Sequence, residues 1–217
     1  MSTIDLQEQE QLDALKAWWK ENRKWLLSAL AIAIAGYAAL TLWKNYQGKQ
    51  AAEASTLYAE VLKQVASNDP KRINDSVAVL VDKYSSTAYA ARAQLLAVQA
   101  NMQAKDMESA KSQLEWVIAK AGESGLRDTA RLKLSTILLD EKKYDEAVKL
   151  LNAAHPDAFS GLYADLKGDV LAAQGKIEEA RAAYKLAYDK MDSKSAYRNL
   201  IQLKMDGLGT EAQGGAK

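Results

Sequence analysis

The longest uninterrupted run of apolar residues lies near the N-terminus. The stretch "WLLSALAIAIAGYAALTLW", residues 25–43, contains no charged side chain. A helix of this length spans roughly 28 Å, close to the ~30 Å hydrocarbon core of a bilayer. It has no polar face, unlike a helix of a soluble domain, and Trp25 and Trp43 mark its ends, where aromatic rings favour the headgroup region. The pattern predicts a transmembrane helix.

A cleaved signal peptide fits this segment poorly. Its apolar core is typically about 7–15 residues long and follows a short basic lead, whereas the lead here is 24 residues long and contains acidic residues. Basic residues are more numerous before the span than after it, which favours a cytoplasmic N-terminus and an exported C-terminal part. These residues are Lys16, Lys20, Arg23 and Lys24 before it, and Lys44 and Lys49 after it.

The lead has its own hydrophobic pattern. In "EQLDALKAWWKENRKW" one apolar stripe, at spacings of three and four, is flanked by basic residues, which predicts an amphipathic helix in the cytoplasmic membrane interface. The stripe consists of Leu12, Leu15, Trp18 and Trp19. Two roles stay open for it: anchoring alone, or contact with a cytoplasmic protein.

After the span, amphipathic segments alternate with short polar turns, and the β-branched clusters that indicate strands are missing. Asp69 and Pro70 form a typical helix start, with an N-cap followed by proline. The other predicted helix starts are Asp106, Ser160 and Ser193, and the predicted stops are Gly122, Gly175 and Gly207. The chain is therefore predicted to be all-α.

These helices repeat with a period. Three segments share a polar turn, an apolar residue, two acidic or small polar residues and then an alanine, namely Ala110, Ala147 and Ala180, at spacings of 37 and 33. Counting 33 residues back from Ala110 gives Val77 as a degenerate fourth member. The pattern resembles the tetratricopeptide repeat, a helix–turn–helix unit of about 34 residues. In such a unit Gly168 supplies the small residue that lets two helices approach closely.

The repeat pattern predicts an α-solenoid that follows a single transmembrane helix. Four segments are expected: 1–24 as the lead, 25–43 as the span, 44–205 as the repeat domain, and 206–217 as a disordered tail of small and polar residues. "SKSAYRNLIQLKMDGL" is predicted to be a terminal capping helix. Its apolar residues available to cover the last pair are Tyr197, Leu200, Ile201 and Leu203.

Composition excludes several function classes. The chain has 29 basic and 28 acidic residues, so it lacks the basic excess of a nucleic-acid-binding protein. It contains no cysteine, which removes disulfides, thiol catalysis and the common zinc sites. The single histidine, His155, lies in a loop before Pro156, and no phosphate loop or nucleophile motif is present. We therefore expect no enzyme activity, no cofactor and no metal.

A partner-binding groove is predicted from the repeat positions. The first helix of each pair lines the concave surface of such arrays, and its residues here are mixed and polar, which suits a defined protein partner. Asp165 and Asp169 lie one turn apart and would present an acidic face. The predicted groove consists of Arg92, Leu95, Gln99, Met102, Leu132, Thr136, Asp140, Asp165 and Asp169.

Three stretches carry a resemblance to a known family: "EQLDALKAWWKENRKWLL", "LVDKYSSTAYAARAQLLAVQA" and "YADLKGDVLAAQGKIEEARAAY". In this order they resemble the YfgM family, the ancillary subunits of the bacterial SecYEG translocon. The resemblance implies a single-pass protein of the bacterial inner membrane, with a cytoplasmic N-terminus, a periplasmic repeat domain and no catalytic residues.

The resemblance also implies partners: the SecYEG translocon, a membrane-anchored periplasmic chaperone of the peptidyl-prolyl isomerase type, and a cytoplasmic stress-response regulator at the lead. The implied function is that of an accessory subunit that scaffolds this chaperone and helps translocated polypeptides reach the periplasmic chaperone network. The alternatives are a scaffold for another envelope process, such as cytochrome maturation or cell division, and stress-response regulation.

Overall fold

The computed structural model describes the backbone of residues 3–214 and the side chains of residues 10–209, and within this part all regular structure is helical. The predicted all-α class is confirmed. The chain divides into two compact units, residues 1–50 and residues 51–217. The helices are α1 (Thr3–Ala66), α2 (Pro70–Tyr84), α3 (Ala88–Gln103), α4 (Met107–Lys120), α5 (Ser124–Asp140), α6 (Tyr144–Leu151), α7 (Ser160–Ala173), α8 (Ile177–Lys190) and α9 (Tyr197–Gly214), with a 3₁₀ turn at Asp157–Phe159.

The first unit is helical throughout its described residues. Of the part of the chain with described side chains, it contains the one helix that is long and apolar enough to cross a membrane. None of the most apolar window is buried, so this segment is not a core helix of a soluble domain. The helix runs without a break across residues 24 and 43, and the backbone therefore does not mark the predicted ends of the span.

In the second unit a turn with one left-handed residue occurs four times. One residue with a positive φ follows each first helix: Asn68, Lys105, Lys142 and Gly175, at spacings of 37, 37 and 33 residues. At the third turn, the backbone N–H of Lys142 donates a hydrogen bond to the carbonyl oxygen of Leu139, and the N–H of Lys143 donates one to the carbonyl oxygen of Leu138. This is the bonding pattern that ends a helix with a left-handed residue. The turns define four helix pairs: the end of α1 with α2, α3 with α4, α5 with α6, and α7 with α8.

The turns correct the predicted register of the first pair. Ala110, Ala147 and Ala180 each lie five residues after the positive-φ residue. The residue at that position in the first pair is Ile73, which is buried, and not Val77. The prediction was wrong because the first two repeats are 37 residues apart, and because an isoleucine takes the place of the alanine that identified the others.

Each pair is held by a close contact between its helices. In the last pair, a Cβ atom placed on Gly168 would lie 2.5 Å from the Tyr184 ring, so only glycine fits there. This confirms the predicted role of Gly168. Buried apolar residues form three clusters along the array, and Trp116 packs against both the first and the second cluster. The core is therefore continuous between the first and second clusters.

Two of the predicted helix starts are confirmed and two are wrong. The carboxylate of Asp69 accepts hydrogen bonds from the N–H groups of residues 71 and 72, and that of Asp106 from residue 109. Ser160 is not an N-cap, because the 3₁₀ turn leads directly into α7 and Phe159 takes that position. Ser193 is not one either, since α9 begins at Tyr197, whose N–H bonds to the Ser195 hydroxyl.

The C-terminal helix extends further than predicted. Gly207 was expected to end it and residue 206 to begin the tail, but α9 continues to Gly214. The reason is tertiary packing, because Leu208 is buried in the last core cluster. Ile201 is fully buried there as expected, whereas Leu200 and Leu203 are exposed. Residues 215–217 lie outside the described residues.

We expect the Gly168→Ala substitution to lower the free energy of unfolding by about 1–3 kcal/mol, the usual cost of overpacking. The added methyl group would displace the Tyr184 ring and its hydrogen bond to Asp169. The measurement is thermal unfolding of the full chain in detergent, followed by circular dichroism.

Gly209→Ala is the matched control, since no atom outside its own helix backbone lies within 4 Å of the Cβ position at that helical glycine. The thermal unfolding midpoint of this control variant should stay the same or rise, because alanine stabilises a helix by about 1 kcal/mol relative to glycine. Equal midpoints for Gly168→Ala and the unaltered chain would contradict the close approach.

Candidate interaction surfaces of the repeat domain

The first helices of successive pairs pack directly against one another, α3 with α5 and α5 with α7. The second helices α4 and α6 are instead separated by a groove. The residues of the predicted partner groove belong to the first helices. Three of them, Leu95, Met102 and Leu132, are partly buried against the central core cluster, so they contribute to packing as well as to the surface.

Arg92 is engaged within the chain. One guanidinium nitrogen lies 2.9 and 3.0 Å from the two carboxylate oxygens of Glu123, the residue that precedes α5. Both side chains are about half exposed, so the pair contributes little to stability. Its effect is to link the start of α3 to the start of α5.

Gln99, Thr136 and Asp140 are the exposed members of the predicted groove. The Thr136 hydroxyl donates to the carbonyl oxygen of Leu132 in the preceding turn, 3.0 Å away. These three residues form the part of the predicted surface that is open to a partner.

Asp165 and Asp169 do not form a free acidic face, and this part of the prediction was wrong. The ammonium group of Lys204 on α9 lies 2.9 and 3.0 Å from the Asp165 oxygens and 2.8 Å from Asp169. The Tyr197 hydroxyl donates to Asp165 and the Tyr184 hydroxyl to Asp169, both at 2.7 Å. Asp165 is only 3% exposed because α9 covers it. We call Asp165, Asp169, Tyr184, Tyr197 and Lys204 the α9 latch.

The ionisation of the α9 latch follows from its geometry. Burial, together with the hydrogen bonds to the two carboxylates, raises the pKa of both tyrosines, so their hydroxyls remain donors at neutral pH. Burial lowers the pKa of Lys204, but its hydrogen bonds to Asp169 and Asp165 more than offset this, and the net direction is upward. The latch therefore holds one cation between two carboxylates, each of which also accepts a tyrosine hydroxyl.

A similar tie joins α5 to α7. The carboxylate of Asp128, which is 1% exposed, accepts hydrogen bonds from the Tyr163 hydroxyl at 2.8 Å and from the Arg131 guanidinium at 2.7 Å. Burial, with the hydrogen bond to Asp128, raises the pKa of Tyr163 to about 12. The ring of His155 stacks on Tyr163, with ring centres 4.1 Å apart. His155 thus has a packing contact that its loop position did not indicate.

The second helices border two grooves that the sequence pattern did not reveal. The α4–α6 groove has a volume of about 590 Å³, and aliphatic side chains of α4, α5 and α6 line it between charged residues. The α2–α4 groove has a volume of about 950 Å³, and polar side chains line it together with the aliphatic residues Val77, Ala78 and Val81. Corresponding positions line both: Asn74 and Lys111 are 37 residues apart, and so are Gln113 and Leu150. This 37-residue spacing between lining positions was therefore the only feature of the sequence that pointed to the two grooves.

Comparison with known proteins agrees with this architecture. A family model described as a tetratricopeptide repeat-like domain matches residues 16–210. A protein of Neisseria gonorrhoeae named an ancillary SecYEG translocon subunit is 34% identical over 204 residues, which cover 94% of this chain and 98% of that relative. The chain belongs to the YfgM family of ancillary SecYEG translocon subunits.

Two further relatives have lower identity to this chain. Relatives with the same name from Aggregatibacter actinomycetemcomitans and Escherichia coli are 26% and 25% identical, over 203 and 201 residues. The matches cover 94% and 93% of this chain, and 98% and 96% of the relatives. Membership in this family and the apolar helix near the N-terminus fit a single-pass protein of the inner membrane.

We expect Lys204→Met to destabilise the repeat domain by about 2–3 kcal/mol, because Asp165 would stay buried without its cation. This is below the ~3–5 kcal/mol for breaking a fully buried pair, since the Lys204 side chain is 24% exposed. Denaturant unfolding of the full chain measures the loss, and hydrogen exchange should show faster exchange at the backbone amides of α9.

Two further variants control this experiment. Asp165→Asn combined with Lys204→Met should be less destabilised than Lys204→Met alone, because no uncompensated charge remains at Asp165. Lys185→Met breaks an exposed pair with Asp189 and should cost at most about 1 kcal/mol. Equal losses for Lys204→Met and Lys185→Met would show that the latch does not hold α9.

Proposed function

We propose that this chain is a non-catalytic accessory subunit of the Sec translocon. In this role it scaffolds a periplasmic chaperone and helps to hand translocated polypeptides to the periplasmic chaperone network. The observation that carries the proposal is the match over 94% of the chain to a relative named an ancillary SecYEG translocon subunit. The match covers 98% of that relative, so it concerns the protein as a whole and not one shared domain.

The architecture supports a role in binding proteins. A helical repeat array presents extended surfaces for partners and has no need of a catalytic centre. The buried acids Asp128 and Asp165 hold neighbouring helices together by hydrogen bonds and ion pairs. Within residues 10–209, no group of His, Asp or Glu side chains is arranged to hold a metal ion. The chemistry of these residues is therefore structural.

The proposed topology places the lead in the cytoplasm and the repeat domain in the periplasm. The excess of basic residues before the span supports this orientation. The exposed stripe of Leu12, Leu15, Trp18 and Trp19 would then lie in the cytoplasmic membrane interface, where a stress-response regulator would meet the chain.

The proposed surface for the chaperone is the face of the first helices. A peptidyl-prolyl isomerase-type protein anchored in the same membrane would contact Gln99, Thr136 and Asp140, which are exposed on α3 and α5. The α9 latch restricts this surface toward the C-terminal end, because α9 engages the corresponding residues of α7.

Photocrosslinking in intact cells tests the proposed partners. A photoreactive amino acid at Tyr37, which is exposed in the span, should crosslink to a translocon subunit, and one at Thr136 should crosslink to a periplasmic chaperone. Lys142, in the turn between α5 and α6, is the control position and should give neither product. Products that belong instead to a cytochrome-maturation or cell-division machine would favour the alternative scaffold and overturn the proposal.

Reporter fusions test the topology. Alkaline phosphatase fused after Lys217 should be active, because it requires export, and a fluorescent protein that matures only in the cytoplasm should stay dark there. A variant with Lys16, Lys20, Arg23 and Lys24 replaced by glutamine is the control, since it removes the basic bias before the span and should lower phosphatase activity. An active cytoplasmic reporter on the unaltered chain would reject the proposed orientation.

A further inference from the structure

The α2–α4 groove lies between two second helices that both pack on α3. Its walls come from α2 and α4, and Gln94 of α3 lies at its base. Its volume of about 950 Å³ is at the upper end of the ~300–1,000 Å³ range for ligand clefts. Side-chain amides line it: Asn74 on α2, Gln94 on α3 and Gln113 on α4.

Gln94 has an unsatisfied amide. The residue is 9% exposed, and its Oε1 atom is buried without a hydrogen-bond partner. A buried polar group without a partner costs free energy, so such groups in native proteins call for an explanation. The terminal torsion of a glutamine side chain has a broad energy minimum, and a small rotation therefore presents the amide to the groove. A ligand with hydrogen-bonding groups would satisfy it.

The other two amides have spare donors. Asn74, Gln113 and the buried Asn101 form a closed network, with distances between 2.8 and 3.2 Å. A primary amide has two N–H donors, and the network uses one at Asn74 and one at Gln113. Each of these two side chains keeps one N–H for a ligand, and the network holds both amide groups in a defined orientation.

The charge of the groove is negative. No basic residue lines it, and the two charged residues that do are Asp82 on α2 and Glu108 on α4. Glu108 forms an ion pair with Lys111, whose ammonium nitrogen lies 2.7 Å from a Glu108 carboxylate oxygen. Asp82 has no ionic partner among the described residues. A cationic group entering the groove would therefore be attracted mainly by Asp82.

We propose that the α2–α4 groove binds an extended polypeptide segment with a lysine or arginine side chain, and that it holds this segment mainly by its backbone. An extended backbone presents N–H and C=O groups in alternation, which match the amide of Gln94 and the spare N–H groups of Asn74 and Gln113. Recognition of this kind accepts many sequences, and Asp82 adds a preference for basic side chains. The inference deepens the proposed function and rests on it for the source of the segment. That source is a translocated polypeptide.

The neighbouring α4–α6 groove does not share this chemistry. Ile118, Leu134 and Leu150 line it, and its charged residues are three lysines and three glutamates. Leu150 occupies the position in this groove that Gln113 occupies in the α2–α4 groove. Its aliphatic side chain cannot form a hydrogen bond with a peptide backbone. The proposed specificity is therefore a property of the α2–α4 groove and not of every groove in the array.

Peptide binding to the full chain in lipid nanodiscs tests the proposal. The probe is a fluorescein-labelled peptide of about a dozen serine, threonine and glycine residues with two lysines, and fluorescence anisotropy reports the affinity. Gln94→Met keeps the volume and removes the amide, so it should weaken binding about two- to tenfold, the effect of one hydrogen bond. Asp82→Asn should weaken binding about two- to fivefold, and more at low salt.

Gln103→Met and Asp189→Asn are the matched controls, since they make the same changes at exposed residues outside the groove and outside the proposed chaperone surface. Both should leave the affinity unchanged. A second readout separates ligand binding from a structural role: Gln94→Met should keep or raise the thermal midpoint, because it removes an unsatisfied group, while it weakens peptide binding.

Four results would overturn the inference: no binding of the lysine peptide, tighter binding of the same peptide with glutamates in place of lysines, unchanged affinity in Gln94→Met, or weaker binding in Gln103→Met. Its failure is distinguishable from that of the proposed function. Crosslinks to the translocon with no peptide binding would reject the groove alone. Peptide binding without such crosslinks would reject the translocon role and leave the groove in place.

Discussion

The repeat domain depends on one backbone constraint, a residue in the left-handed conformation after each first helix. Asn68, Lys105, Lys142 and Gly175 occupy this position. The conformation costs roughly 1–2 kcal/mol for a residue with a Cβ atom, and three of the four residues have one. This free-energy cost is offset because the hydrogen bonds of the turn satisfy the last carbonyl groups of the helix. The turn also directs the next helix back along the first. Ile73, Ala110, Ala147 and Ala180 follow at a constant distance and are buried at the same place in each pair.

Stacking of the pairs adds a polar element to this constraint. Asp128 and Asp165 are buried on successive first helices. Asp128 accepts a tyrosine hydroxyl from α7, and Asp165 accepts one from the capping helix α9. Apolar surfaces alone permit small slips between helices, whereas a buried carboxylate with few partners does not. Asp165 was predicted to face a partner and instead holds α9 in place, whereas Asp128, which was not a predicted site residue, holds α7. The last tie also makes α9 an integral part of the array.

The sequence predicted the local and periodic features well. The length and uniform apolarity of residues 25–43, the caps at Asp69 and Asp106, and the alanine spacing all depend on residues close to one another in the chain. Some errors are local, at the caps Ser160 and Ser193 and in the first repeat, and others concern contacts between distant residues. Ile73 was missed because a larger side chain replaced the identifying alanine, and the role of Asp165 was missed because its cation, Lys204, lies 39 residues away. The grooves could not be predicted, because each is formed by three helices whose separation depends on how the pairs stack.

The two equivalent grooves have different linings, and this gives the outer side of the array a direction. The groove nearer the N-terminus combines amides and Asp82 with a few aliphatic side chains, whereas the next groove has no amides and is lined by aliphatic side chains with mixed charges. A chain long enough to lie across both would meet a polar site and an apolar site in a set order. Reversing the chain would exchange its polar and apolar contacts. The two orientations are therefore energetically unequal, and a repetitive scaffold acquires a polarity that its repeating backbone does not have.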